Sequence, residues 1–551
     1  MKKRVISNTA IIIFLLAASL LFCYPYLRSG LGVPQDTRFH LDRILGMSNV
    51  WRSPVNFLTY ANRGNMVAPY YPWITLYPAF LLYKVFGSLT VAYKVYMFSL
   101  IFIGSLTSYF SFLSINKNRG RATIFATLYT FASYHATNVF LRGAVGEVLC
   151  AVFLPIAFLG LYEVLRGNWR KWPLLTAGMT LILYSHLLSL AITAALMLVL
   201  TVLALPGMQD WQRRLIAGVK ATLLTLLLSV GFIVPFLQIS RVQKVALPVA
   251  HLLERGTVPP SQLISDMLNN YWGTYGLGLV ILIAVAGSII MWRQLAGWER
   301  ALLGLSLLMI FVLTTLFPIA HFNHTLLNEL QFIWRLNAFT SLFVLYVFCA
   351  HLPAIHFGWQ FIVSGVVLLG VLASMHYTSY KTVRNSQMFF PAGQGLVYND
   401  ANAEHLTRTY PHSDYRPENA LNPAYVTDFR PRMRGQVVKL AAQYTADQAT
   451  FTVNNHKRAG ILRTSVYRYD SALVHVNGKA VATYNVDGLT GVKVPHGKTV
   501  ITIRYKYSGL TYLARAISII TLILTLAWPW WGKWFKRRLD LGTPVARHAA
   551  N

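Results

Sequence analysis

Acidic residues are scarce in this sequence. Only 18 Asp and Glu stand against 49 Lys and Arg in 551 residues, and charged residues make up 12% of the chain. So low a charged fraction, with 55% hydrophobic residues and a mean hydropathy of +0.46, excludes an ordinary soluble protein and indicates a polytopic membrane protein. Nucleic-acid binding is not expected despite the formal charge of +31, because much of it flanks apolar segments, as the positive-inside rule predicts.

Cysteine is scarce too, and several familiar motifs are absent. The three cysteines, Cys23, Cys150 and Cys349, all lie in apolar segments, which argues against a disulfide framework. The sequence has no P-loop, no strand-linked GxGxxG, no DxD triplet and no GxSxG elbow. An activated donor is therefore not expected to be a cytoplasmic nucleotide, and a donor carried in the lipid phase fits better.

Long apolar segments are what the sequence has instead. Stretches of about 18 to 25 apolar residues, enough to cross ~30 Å of hydrocarbon, predict about twelve transmembrane helices. These are 8–27, 92–114, 122–141, 147–165, 173–187, 188–205, 215–238, 274–292, 300–320, 334–350, 359–377 and 511–531. Within 173–205, one bent or re-entrant element is an alternative to two crossings. No small-residue cleavage site follows the first segment, so we expect an uncleaved helix and a cytoplasmic N-terminus.

The topology predicts three parts for the chain. A transmembrane domain (1–377) includes a long outer loop at 28–91, in which TLYPAFLLYKVFG (75–87) reads as an interfacial helix. An extracytoplasmic domain (378–510) is irregular at 391–435 and then alternates like strands, with Asn477-Gly478 as a type I′ hairpin turn. The last crossing and a basic cytoplasmic tail form 511–551. The predicted fold is thus a mostly α membrane protein with a β-sandwich-like domain before its last helix.

The polar string GVPQDTRFHLDRI (32–44) follows the first apolar segment and concentrates ionisable side chains there. Asp36, His40 and Arg43 would share one face of a helix, so Asp36 is a candidate general base at the membrane surface. The alternative for Asp36 is a helix N-cap. His40 could assist Asp36 or join it in a metal site, although tight metal-ligand spacing is lacking. Arg38 and Asp42 are four residues apart and are expected to pair.

Further candidates lie near the predicted outer ends of other helices. Arg142 and Glu147 either cap and pair with each other or face the same cavity as Asp36. Arg335, in LQFIWRLNAF, is suited to gripping a phosphate at headgroup depth, with snorkelling as the alternative. The remaining candidate substrate contacts are His186, Tyr70 and Tyr71, for which an interfacial position or an aromatic belt is the plainer interpretation.

Several of these strings together resemble a known family. The first-loop DTRFHLDRI, then FLRGAVGE, LYSHLLS and QFIWRL, resemble bacterial membrane proteins labelled 6-pyruvoyl-tetrahydropterin synthase-related, a label that does not imply pterin chemistry. VHVNGKAV and GLTGVKVPHGKTVITIRY, before the last crossing, are similar to the same group. A first transmembrane helix, then an outer loop that opens with Asp in GVPQDTRFHLDRI, then YYPW and YPAFLLYKVFG, also resembles the polytopic GT-C glycosyltransferases, which use polyprenyl-phosphate sugars.

The resemblance implies a transferase in the cell membrane. The basic clusters between the apolar segments predict that both termini are cytoplasmic and that 378–510 lies outside. A polyprenyl-phosphate sugar would be the donor and an envelope polymer or lipid the acceptor. Asp36 would take the place of the family's first-loop acid, Glu147 of a second acid, and Arg335 of a lipid-phosphate contact. No cofactor is implied with certainty, and a divalent metal stays open. A transporter or flippase of lipid-linked sugar and a non-catalytic envelope scaffold are the rival hypotheses.

Overall fold

The computed structural model of the chain describes residues 8–27, 30–32, 34, 36–248, 252–273, 276–353, 359–385, 397–420 and 428–540. Residues 1–7, the end of the tail (541–551) and parts of the predicted irregular region (391–396 and 421–427) lie outside these residues. The α-helices are α1 (Asn8–Leu27), α2 (Thr37–Leu45), α3 (Val67–Tyr70), α4 (Tyr77–Phe86), α5 (Leu89–Asn116), α6 (Arg119–Thr130), α7 (Ser133–Ala136), α8 (Val145–Leu165), α9 (Pro173–Leu183), α10 (Leu187–Ala204), α11 (Trp211–Val242), α12 (Pro260–Leu268), α13 (Gly278–Ile290), α14 (Gly297–Val312), α15 (Asn337–His351), α16 (Trp359–Asn385), α17 (Ala403–Thr409) and α18 (Gly509–Asp540).

Eight helices in the described part of the chain are long and apolar enough to cross a membrane. They are α1, α5, α8, α10, α11, α15 with the 3₁₀ turn before it, α16 and α18. Four predicted crossings fall on the shorter helices α6, α9, α13 and α14, so the count of twelve stays a prediction. The apolar segment at 122–141 is divided because α6 ends at Thr130 and a π turn, Thr137–Arg142, follows α7.

Two of the long helices form the centre of the helical domain. The most apolar window of α8 is 83% buried inside the protein and that of Ile333–His351 is 89% buried, whereas α16 and α18 are only 17% and 22% buried. The latter two therefore present most of their surface to lipid. Glu147 in the first turn of α8 and Arg335 just before α15 are thus carried by the most enclosed elements.

The C-terminal strands form a sandwich of two five-stranded sheets. The strands are β1 (Leu31–Gly32), β2 (Val397–Tyr398), β3 (Arg432–Met433), β4 (Gln436–Val437), β5 (Ala441–Tyr444), β6 (Gln448–Asn455), β7 (Gly460–Tyr467), β8 (Leu473–Val476), β9 (Lys479–Ala480), β10 (Tyr484–Val486), β11 (Leu489–Val494) and β12 (Gly497–Arg504). The sheet orders are β10-β11-β7-β3-β4 and β5-β6-β12-β8-β9, both antiparallel. Asn477 and Gly478 have φ of 48° and 82° and join β8 to β9, which confirms the predicted hairpin.

The first loop packs directly on this sandwich. Phe57 and Tyr60 share one hydrophobic core with strand residues such as Phe451, and the Phe57 backbone N–H donates to the carbonyl of Ala446 at 3.2 Å. The strand β1 pairs with β2, which follows α16. Within the same loop, α4 lies in the segment predicted to be helical and ends at Gly87, where φ is 66°. As a result α2 is held between the membrane helices and the sandwich.

Candidate active site

A cavity of about 1080 Å³ lies where α2, the first turn of α8, the turn before α15 and the segment 410–415 meet. Its walls come from parts of the chain nearly 400 residues apart, so only the complete fold assembles it. Nine of the ten candidate site residues line it: Asp36, Arg38, His40, Tyr70, Tyr71, Arg142, Glu147, His186 and Arg335. Arg43 is the tenth, and it lies behind the wall.

Asp36 stands at the N-cap position of α2, but its side chain makes no capping hydrogen bond. Only its backbone is engaged, with the N–H donating to the Arg142 carbonyl at 2.8 Å and the carbonyl accepting from His40 N at 3.1 Å. Within the described residues the carboxylate has no hydrogen-bond or ion-pair partner, although it lines the cavity. Burial raises the pKa of Asp36 above its usual 3.8, with the nearby Arg142 opposing this and Glu147 adding to it.

Gly143 explains how Asp36 and Arg142 come so close. Its φ is 66°, in the left-handed region, and a Cβ added there would collide with the side chain and backbone N of Thr37. Any residue with a side chain would therefore push α2 away from the loop after the π turn. The close approach of α2 therefore explains why glycine occupies this position of the FLRGAVGE string.

Glu147 is the centre of a buried cluster. Its carboxylate accepts two parallel hydrogen bonds from Arg142, both at 2.8 Å, one from Arg335 Nε at 2.9 Å and one from the Tyr134 hydroxyl at 2.6 Å. Arg142 and Arg335 are each only 8% exposed, and Glu147 is 6% exposed. Two arginines and one carboxylate leave a net charge of +1 beside the cavity. These charge-assisted hydrogen bonds, which are bidentate for Arg142 and single for Arg335, fix both guanidinium groups in place.

His40 presents a hydrogen-bond donor at this site. Its Nδ1 lies 3.2 Å from Arg43 Nη1, and because a guanidinium only donates, Nδ1 must be the accepting nitrogen. Burial, together with the neighbouring Arg43 charge, keeps the pKa of His40 well below 6.5, so the ring is neutral with its proton on Nε2. Arg43 itself donates to the Pro72 carbonyl at 2.6 Å and lies 3.8 Å from the Tyr71 ring centroid, so it positions the wall.

The expected pair of Arg38 and Asp42 does not form, and that prediction is wrong. The Arg38 guanidinium lies 4.7 Å from the Tyr410 ring centroid, at the cavity wall. Asp42 is fully buried, accepts a long hydrogen bond of 3.4 Å from the Tyr60 backbone and lies 3.8 Å from His412 Nε2. Although four residues apart, the two side chains are drawn apart because each has a tertiary partner.

Tyr71 and His186 pack against each other with ring centroids 5.5 Å apart. His186 caps α10 through Nδ1, which accepts from the Ser189 backbone at 3.3 Å. A Cβ added at Gly146 would meet the Tyr71 hydroxyl and lie 3.0 Å from the His186 ring. The Tyr71 ring cannot easily yield, because Arg43 lies on it.

Replacing Gly146 by Ala is therefore expected to lower activity on the order of 100-fold, the scale of a 1 Å misplacement in a catalytic site. The new methyl group displaces Tyr71 and His186 without removing a polar group. Turnover at equal amounts of inserted protein measures the effect. Gly218→Ala in α11 is the control, since nothing lies within 4 Å of its added Cβ. Equal activity of the two variants would show that the Tyr71 wall does not matter.

The sequence match places this chain in a family. A model described as "6-pyruvoyl-tetrahydropterin synthase related domain; membrane protein" matches residues 69–382, more than half of the chain. The chain belongs to this family of membrane proteins. The resemblance to the 6-pyruvoyl-tetrahydropterin synthase-related group is thereby confirmed. The matched range contains the Arg142–Glu147–Arg335 cluster, whereas Asp36 precedes it and the segment 410–415 follows it.

Two solved structures of one protein are similar to this family member. "Single-Particle Cryo-EM Structure of Arabinofuranosyltransferase AftD from Mycobacteria" matches 69% of this chain and 27% of its own, with 15% identity and a TM-score of 0.44. A mutant of that mycobacterial protein matches 69% and 28%, with 16% identity and a TM-score of 0.43. This chain thus spans little more than a quarter of their length. No curated protein matches it.

The segment 410–415 lines the cavity, but sequence analysis did not identify it as part of a candidate site. It supplies Tyr410, His412, Asp414 and Tyr415 to the cavity, from a stretch that composition alone assigned to irregular structure. The signal available was its content, YPHSDY, in which ring, hydroxyl and carboxylate side chains stand side by side. Among the residues that the structure describes, no three His, Cys, Asp or Glu side chains lie close enough together to hold a metal ion.

Proposed function

We propose that this membrane protein is a GT-C-type glycosyltransferase that moves a sugar from a polyprenyl-phosphate carrier to a polymer or lipid of the cell envelope. The reaction takes place on the outer face, with both termini in the cytoplasm. One observation carries the proposal: an unpartnered Asp36 carboxylate lines the same cavity as a buried arginine pair with net positive charge. Unpaired ionisable groups of this kind are costly to bury and mark functional sites.

The chemistry needs both features. The acceptor hydroxyl oxygen attacks the anomeric carbon, the bond from that carbon to the phosphate oxygen breaks, and the polyprenyl phosphate leaves with the bonding electrons. The hydroxyl proton passes to the Asp36 carboxylate, whose raised pKa makes it a stronger base than an exposed aspartate. Arg142 and Arg335 stabilise the charge that grows on the leaving phosphate.

Glu147 has a different part in this proposal from the catalytic one suggested by the sequence. All of its strong hydrogen bonds go to Arg142, Arg335 and Tyr134, which leaves its carboxylate poorly placed to accept a proton from substrate. It holds the two guanidinium groups that bind phosphate. His40, with its donor Nε2–H, assists by hydrogen bonding at the sugar or the acceptor.

Comparing envelope glycans from cells with and without the protein tests the function. We expect one sugar to be missing from a polymer or glycolipid, and its lipid-linked donor to accumulate in the outer leaflet, because transfer is the step that consumes it. Composition and linkage analysis of the fractions, with the donor measured separately, provides the readout. Unchanged glycans would refute the transferase, and a donor retained in the inner leaflet would identify a flippase instead.

A further inference from the structure

The cavity has two walls of different electrostatic character. On the side of the membrane helices, Arg142, Glu147 and Arg335 carry a net charge of +1. The second wall is the segment 410–415, which carries the negative charge of Asp414, and the Arg38 guanidinium of α2 lies beside it, 4.7 Å from the Tyr410 ring centroid. Asp36 lines the same cavity, with Arg142, Arg335 and Asp414 among the charges near it. A further carboxylate, that of Glu329, lies at the exposed rim.

The second wall is held rigidly. Tyr415 N–H donates to the Ala246 carbonyl at 2.7 Å, and Ala246 N–H donates back to Arg416 at 2.8 Å, so this segment pairs with the chain after α11. The Tyr469 hydroxyl, from the sandwich, donates to the Tyr415 carbonyl at 3.1 Å. A wall fixed from both the membrane domain and the sandwich is preorganised, which lowers the cost of binding a ligand.

Asp414 lies on this wall, and its carboxylate can accept further hydrogen bonds. One carboxylate oxygen accepts from the Ser413 hydroxyl at 3.1 Å, and the other has no protein hydrogen bond among the described residues. Beside it, Tyr415 stacks on Phe39 with centroids 5.8 Å apart and planes at 15°. A carboxylate that accepts from hydroxyl groups, next to aromatic rings that pack on C–H faces, matches the two surfaces of a sugar ring.

The size of the cavity allows two ligands at once. Its volume is about 1080 Å³. Sites that hold one drug-sized ligand occupy roughly 300–1,000 Å³, so this cavity is as large as the largest of them. A phosphate and its sugar against the arginines leave space for a second sugar against the segment 410–415. Asp36 lines the same cavity, so its carboxylate is available to take the proton of the acceptor hydroxyl.

We infer that Asp414 binds the acceptor beside the cavity-lining rings of Phe39 and Tyr415, and that the acceptor is an uncharged sugar residue of a glycan. This rests on the proposed function. A sugar that carried its own carboxylate or phosphate would be attracted to the arginine wall, where the donor phosphate binds, and repelled by Asp414. A neutral sugar has hydroxyl groups for Asp414 and a C–H face for the rings, and nothing on it competes for Arg142 and Arg335.

The probe for this test is the under-glycosylated glycan purified from cells that lack the protein. Its polymer fraction and its glycolipid fraction are assayed separately as acceptors. Full-length protein in lipid nanodiscs is assayed with donor extracted from the same cells. Asp414→Asn should raise the KM for this acceptor about 10- to 100-fold, the loss of a hydrogen bond to a charged group, and leave the KM for the donor unchanged. Asp414→Glu should recover part of the affinity.

The controls separate this inference from the proposed function. Asp470→Asn alters a half-exposed carboxylate of the sandwich, outside the cavity lining, and should leave the acceptor KM unchanged, and thermal unfolding verifies that each variant folds. An unchanged acceptor KM in folded Asp414→Asn protein would overturn the assignment of Asp414, and a probe whose accepting sugar is charged would overturn the inference of an uncharged acceptor. The transferase stands in both cases. Glycans that are identical with and without the protein would overturn the proposed function itself.

Discussion

Asp36→Asn protein is expected to insert and fold normally and to transfer sugar about 10² to 10⁴ times more slowly, the usual contribution of a general base. The structure of the loop should survive, because the Asp36 side chain makes no capping bond and the contacts to Arg142 and His40 come from its backbone. The amide keeps the size of the side chain and cannot take the proton. Transfer rate per inserted molecule, beside the unfolding midpoint, measures the change.

Two controls make this result specific. Glu329→Gln removes another carboxylate of the same cavity, at its exposed rim, and should transfer sugar at the normal rate. In the unchanged protein the rate should fall as the pH is lowered through the pKa of Asp36, since only the ionised carboxylate accepts a proton. Because burial raises that pKa, the acid limb should lie above pH 3.8. Full activity of Asp36→Asn would remove the mechanism.

The helical spacing of α2 explains why Asp36 and His40 line one cavity and why Arg43 does not. Asp36 and His40, four residues apart, both line the cavity, as one helical face requires. Arg43 is on the same face but seven residues along, roughly 10 Å further at 1.5 Å per residue. At that distance the cavity has ended, and the guanidinium lies between Tyr71 and the Pro72 carbonyl instead.

The positions of the other cavity residues depend on contacts between distant parts of the chain, which no local sequence pattern contains. Glu147 binds Arg335 across 188 positions of sequence, and its bond to Arg142 spans the turn at Gly143, where helical spacing does not apply. The hairpin at Asn477-Gly478 was predictable because two adjacent residues determine it. By contrast, Asp414 reaches the cavity only because the first loop and the sandwich share one core, which composition could not reveal.

Glu147→Gln should be the most destabilising single change in the site. It leaves Arg142 and Arg335 buried without their shared anion, and breaking a buried ion pair from one side typically costs about 3–5 kcal/mol. Transfer should fall as well, since neither guanidinium is then held in place for the phosphate. Thermal unfolding in lipid nanodiscs and the KM for the donor measure the two effects. A catalytic Glu147 would give the opposite pattern, with normal stability, an unchanged donor KM and a reduced kcat.

Two further variants test whether the loss of stability comes from arginines that are left buried without an anionic partner. Glu163→Gln alters a buried glutamate of the same helix, but its partner Lys171 is half exposed to solvent, so the loss of stability should be smaller. The double variant Glu147→Gln with Arg335→Gln removes one of the stranded cations and should unfold at a higher temperature than Glu147→Gln alone. If the double variant is less stable than either single variant, the ion pair is not the source of the stability. The arginine wall would then have to be held by its other contacts, among them those of Arg142 to Asn138 and of Arg335 to Gln331.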